Sequence, residues 1–130
     1  MILDTTFVID FMMGDKEAYD RMRSMMDAGL PISVTTPTIF ELFSGVAQSS
    51  KPIREREKIQ MILHHQTKWS LDDLSAERAG LIFGDLLKYG KPIEETDALI
   101  AGIAIEHNEP VLTRNVKDFS RVPGLKVETY

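Results

Sequence analysis

The side chains of this chain that can do chemistry are acids, and they fall where strands end or helices begin. Asp4 follows the apolar pair Ile2-Leu3, and Glu41 lies in a segment entered from the β-branched run Ile32 to Thr36. Asp97 heads the apolar segment Ala98 to Ile105, and Asn115 and Asp118 follow Val111-Leu112-Thr113. Asp97 has no lysine or arginine three or four residues away, and Glu94 adds a like charge one turn before it. A carboxylate among apolar groups is costly unless it is paired, hydrogen-bonded or metal-bound. Carboxylates held together repel, and a divalent cation relieves the repulsion. Oxygen donors without a His or Cys cluster suit a hard ion, Mg²⁺ or Mn²⁺. Such an ion lowers the pKa of bound water and stabilises in-line attack on phosphorus.

Each acid also has a local reading. Asp4 can cap the helix after it, and Asp97 can serve its own helix N-terminus. Glu41 points away from Ile39, Leu42 and Val46 by helical periodicity, which suggests solvent, yet Ser44 and Gly45 one turn on leave room for a ligand. Asp118 has Arg114 and Arg121 at helical distance, so an ion pair explains it nearly as well as a metal. Asn115 also suits a turn.

The elements that must carry these residues alternate between strand and helix. Ile2-Leu3-Asp4 reads as a short strand, and Thr5 or Thr6 can cap a helix presenting Phe7, Val8 and Phe11. Ala18, Met22, Met25 and Met26 form a helical stripe that reads as core. Pro31 to Thr36 predicts a strand, Pro37 opens the next helix, and Arg54 to Lys58 opens a charged one. Trp69 and Leu71 suggest a short strand. Asp72 to Tyr89 predicts a helix closed by Gly90 and Pro92. The segment headed by Asp97 predicts a helix that has no solvent face from Ala98 to Ile105 and is packed on several sides. Val111 to Thr113 and Leu125 to Thr129 predict the last strands, with a loop or short helix at Asn115 to Phe119. Strands separated by helices imply a parallel sheet covered on both faces, a three-layer α/β/α domain. In such sheets ligands bind beyond the carboxyl ends of the strands, where all these acids would meet.

Composition narrows the function classes. The 130 residues fit one domain, residues 1–130, and the absence of cysteine excludes disulfides, thiolate nucleophiles and zinc–thiolate sites. No apolar run approaches the roughly 20 residues of a membrane span, and the acidic start is unlike a signal peptide, so a cytoplasmic location is expected. The net charge of −5 means that any nucleic-acid role needs a local basic patch or metal ions. Arg114, Lys117 and the Lys51–Lys58 helix are the candidates for that positive field. His64 and His65 are adjacent without another ligand at a suitable spacing, and no Gly-rich phosphate loop or nucleophile elbow occurs.

The segment Ile2-Leu3-Asp4-Thr5-Thr6-Phe7-Val8-Ile9-Asp10 resembles the opening of PIN domains of the VapC toxin type. Thr36 to Gly45, Thr96 to Gly102 and Leu112 to Phe119 are similar to that family's further motifs, and Pro123-Gly124-Leu125 to its ending. The resemblance implies a PIN-like fold and a Mg²⁺-dependent endoribonuclease neutralised by a cognate VapB-type antitoxin. It implies Asp4 and Asp97 as metal ligands, Glu41 and Asp118 completing the acidic site, and Thr6, Thr113 and Asn115 as supporting groups. Thr6 stands where the family commonly has Asn, keeping an oxygen but losing the amide. The fourth acidic position fits either Asn115 or Asp118. The family usually pairs, so a homodimer is expected, with Phe11, Met12 and Met13 as apolar surface. Rival readings are a PIN nuclease of RNA processing without a toxin role, and a receiver-type signalling domain. The latter wants an acidic pair after the first strand, where Thr5-Thr6 stand.

Overall fold

The computed structural model describes residues 1–130, and its centre is a five-stranded, all-parallel sheet. The elements run β1 (Ile2–Leu3), α1 (Thr5–Met12), α2 (Lys16–Asp27), β2 (Ser33–Thr35), α3 (Thr36–Ala47), α4 (Pro52–His64), β3 (Thr67–Trp69), α5 (Asp73–Lys88), α6 (Glu95–Glu106), β4 (Val111–Leu112), α7 (Val116–Phe119) and β5 (Val127–Glu128). The strand order is β3-β2-β1-β4-β5. The chain therefore winds outward on one side of β1, returns, and winds outward on the other. Between β1 and β4 the winding reverses, and such a switch point opens a crevice at the carboxyl edge of a parallel sheet.

The strands are only two or three residues long, and β1, β2 and β4 are entirely buried. Burial of both faces is what a parallel sheet between helical layers requires. On one side Phe7, Val8, Met22, Met25, Leu42 and Ile59 pack the helices α1 to α4 against it. On the other, Ile100, Ala101, Ala104, Phe119 and Val122 pack α6 and α7. Gly102 sets the distance between α5 and α6: a Cβ there would lie 2.6 Å from the Ser75 carbonyl oxygen and 2.9 Å from Ala79 Cβ.

The structure corrects several local expectations. Met26 is 66% exposed, so the methionine stripe ends at Met25. Leu71 lies outside β3, and β5 is shorter than the alternation of 125–129 suggests. Helix α6 does have an open side, at the half-buried Leu99 and Ile105. Phe11 and Met12 pack against the core, which leaves Met13 as the exposed member of that trio. No helix is long and apolar enough to cross a membrane.

Candidate active site

Asp4 is the residue after β1, and Thr113 is the residue after β4. Because Leu3 pairs with Leu112 in the parallel register, the next residue on each strand meets the other at the switch point. Thr113 Oγ1 donates to Asp4 Oδ2 at 2.7 Å, and Thr6 Oγ1 donates to the same oxygen at 2.8 Å. Both hydroxyls are themselves held: Thr113 accepts from the Asn115 backbone N–H at 2.8 Å and Thr6 from the Arg114 backbone N–H at 3.2 Å. Asp4 is the N-cap residue of α1, yet its side chain makes no capping hydrogen bond. Neither Thr5 nor Thr6 caps the helix, contrary to expectation, because both hydroxyls face carboxylates.

Thr5 Oγ1 donates to Glu41 Oε1 at 2.7 Å. That bond turns Glu41, on the side of α3 away from its apolar stripe, toward the end of β1. Across the crevice, Asp97 sits in the first turn of α6 and is buried. The partner missing from its own helix comes from the other side of the site. Asn115 Nδ2 donates to Asp97 Oδ2 at 2.8 Å and to Asp118 Oδ2 at 3.3 Å. Asn115 and Asp118 therefore belong to one arrangement, with the amide bridging two carboxylates.

Every acid is thus held through one oxygen. Asp4 Oδ1, Glu41 Oε2, Asp97 Oδ1 and Asp118 Oδ1 make no hydrogen bond, and none of them is buried away from solvent. Burial pushes the Asp97 carboxyl up to about 7, and the charges of Asp4, Glu41, Asp118 and Glu94 add to the push. The other three acids singled out in the sequence therefore act on Asp97 through space.

No three of the acids and histidines are drawn together tightly enough to enclose an ion by themselves. Mg²⁺ does not need such a cage, since it keeps several waters and takes one or two carboxylates. Oxygen donors with one free atom each, around a carboxyl whose ionisation is opposed by like charge, suit that kind of binding.

The cations fall differently from expectation. Arg114 does not pair with Asp118: its guanidinium meets Asp10 at 3.0 Å, Asp15 at 3.0 Å and Glu17 at 2.9 Å, and lies over the Tyr130 ring. It is neutralised by α1, α2 and the loop between them, and adds no free positive field. Arg121 donates to the Pro92 carbonyl at 2.7 Å, which leaves Asp118 without an ion pair. His64 and His65 are exposed at the end of α4, against one another. Thr5 is the site residue that sequence reading took only as a helix cap, because its partner lies 36 residues away.

Residues 1–125 match the model of the PIN domain. The chain belongs to the PIN-domain family. Within that family it is of the VapC type: it is 30% identical to the tRNA(fMet)-specific endonuclease VapC of Shigella flexneri over 129 residues, 99% of this chain and 96% of that protein. It is also 30% identical over 129 residues to Ribonuclease VapC2 of Haemophilus influenzae, again 99% and 96% of the two chains. Among solved structures, the DNA-bound VapBC of Salmonella typhimurium superposes with a TM-score of 0.85 at 27% identity, covering 98% of this chain and 96% of that one. VapBC2 of Rickettsia felis, bound to a promoter DNA fragment, gives a TM-score of 0.90 at 24% identity, covering 99% and 97%. The fold expected of a PIN-like α/β/α domain is the fold observed.

Proposed function

We propose that this protein is a Mg²⁺-dependent endoribonuclease and the toxin of a toxin–antitoxin pair, held inactive by a VapB-type antitoxin. The observation that carries the reading is the set of four carboxylates, each with a free oxygen, of which the buried Asp97 is pushed up to about 7. Relatives named VapC ribonucleases and solved VapBC complexes support the nuclease and toxin parts. They also favour a toxin over a housekeeping processing nuclease. The name of the Shigella relative makes tRNA the first substrate to try. In this reading residues 1–130 are one PIN domain acting in the cytoplasm, as a homodimer.

Asp4 and Asp97 would hold the metal, Mg²⁺ or in its place Mn²⁺. When bound, that ion supplies charge neutralisation at phosphorus and a more acidic water. The chain's residues do the positioning. Thr6 and Thr113 fix Asp4, and Asn115 fixes Asp97 and Asp118, so the free oxygens stay aimed into the crevice. Glu41, oriented by Thr5, accepts the proton of the attacking water or orients it. Asp118 holds a water at the rim.

The test is cleavage of RNA in Mg²⁺ by the wild type and by Asp97→Asn and Asp4→Asn, with calorimetric titration of Mg²⁺ alongside. Both variants are expected to lose cleavage by at least about 100-fold and to bind Mg²⁺ more weakly. Full activity in purified Asp97→Asn would overturn the assignment.

A further inference from the structure

Beside the acids lies a cleft of about 770 Å³ that none of the chemistry above uses. It opens between the start of α3, the loop after β3, α5 and the start of α6. Its apolar walls include Leu71, Phe83 and Leu99, and the Phe40 ring, 70% exposed, stands at its edge. Its polar groups are those of Thr36, Thr96, Glu94 and Glu95. The cleft and the acidic site share two elements, since Phe40 precedes Glu41 in α3 and Glu94 to Thr96 precede Asp97 at the head of α6. None of the four acids lines the cleft, but its occupant would lie on the same two elements that carry Glu41 and Asp97.

The chemistry of the lining selects among occupants. Two carboxylates repel a phosphate, so the sugar–phosphate backbone does not belong here. An exposed ring at the edge of an apolar cleft is a stacking surface, and single-stranded RNA is recognised by stacking splayed-out bases on such rings and reading their edges. Carboxylates only accept hydrogen bonds. The Thr36 hydroxyl accepts from the Leu71 N–H at 3.1 Å, which leaves its own proton to donate. Among the bases, guanine alone sets two neighbouring donors, N1–H and the 2-amino group, beside a carbonyl acceptor. Uracil would turn carbonyl oxygens toward the carboxylates.

We propose that this cleft is a base subsite that takes an unpaired guanine of the RNA substrate, stacked on Phe40, with its donor edge on Glu95 and its carbonyl on the Thr36 hydroxyl. The proposal rests on the ribonuclease reading and adds a sequence preference to it. Both Glu94 and Glu95 line the cleft, and Glu95 is the one to change because Glu94 also acts on Asp97.

The test titrates the protein with labelled oligouridylates carrying one guanosine, one inosine or neither, in EDTA so that nothing is cleaved. Cleavage of the same strands in Mg²⁺ and the size of each variant in solution are measured in parallel. The guanosine strand is expected to bind about tenfold or more tighter than oligouridylate, with inosine, which lacks the 2-amino group, between them. Phe40→Ala should weaken the guanosine strand by about tenfold or more, and Phe40→Trp should restore it. Glu95→Gln should erase the difference between guanosine and inosine. If the wild type cleaves RNA but binds the three strands alike, the subsite is wrong and the nuclease stands. If it neither binds nor cleaves RNA, both readings fall. If Phe40→Ala changes the oligomeric state and leaves RNA affinity unaltered, the cleft belongs to a second copy and the subsite is wrong.

Discussion

The side-chain amide of Asn115 donates to Asp97 Oδ2 at 2.8 Å, across the crevice from the head of α6 to the end of β4. A neutral donor thus stabilises the charged form of a carboxyl that its neighbours oppose. Asn115→Ala should reduce RNA cleavage by about ten- to a hundredfold, as the loss of a hydrogen bond to a charged group implies. Asn115→Asp should do worse, since it sets a further negative charge against Asp97 and Asp118. Steady-state cleavage rates with Mg²⁺ titrated in each variant check both; equal rates for the wild type and Asn115→Asp would remove Asn115 from the site.

Asp97 also sets a pH dependence for the metal-free protein. Its carboxyl is raised from 3.8 to about 7 in the folded chain, so the native state holds that proton more tightly than the unfolded state does. Unfolding releases it between those values, and stability from this group falls as pH rises from about 4 to about 7, then levels off. Asp97→Asn should abolish the slope and unfold at a higher temperature than the wild type at pH 8 in EDTA. Saturating Mg²⁺ should flatten the same slope in the wild type. Thermal melts across pH, with and without the ion, make the measurement.

In the proposed reaction Thr5 would act only through Glu41, to which it donates its hydroxyl proton. Thr5→Val keeps the side chain's shape and removes the hydrogen bond to Oε1. Cleavage should fall about tenfold, and Thr5→Ser should recover most of it. In the Glu41→Gln background the same Thr5→Val change should have little further effect, which a double-mutant cycle reads directly. Additive losses would mean that the two residues work apart.

Gly102 carries a purely mechanical requirement. Alanine there drives a Cβ to 2.6 Å from the Ser75 backbone, so α5 and α6 must separate. The strain, on the order of 1–3 kcal/mol, exceeds the gain of about 1 kcal/mol that alanine brings to a helix interior. Gly102→Ala should lower the urea midpoint, whereas Gly84→Ala, with open space around it, should not.

Asp4 and Asp97 were legible in the sequence because their setting is local: an acid ending an apolar strand, and an acid heading an apolar helix with no cation within a turn. The sheet and its helices were legible for the same reason, from period and punctuation. What was not legible depends on pairings across long stretches of chain. Thr5 finds Glu41 in another element, and Arg114 goes to Asp10, Asp15 and Glu17 rather than to the nearer Asp118. Helical spacing along one segment favoured the near partner; the packing of α1 and α2 beside β4 decided for the far ones. Met26 and the open side of α6 show the same limit, since a stripe does not say how wide its covering neighbours are.

The bond from Thr113 to Asp4 joins residues 109 apart in the chain, and Asn115 and Asp118 come later still. A polypeptide still being translated consequently lacks an assembled centre until Asp118 has been added. For an enzyme that would attack RNA, the order of synthesis withholds the complete set of acids until both halves of the sheet exist.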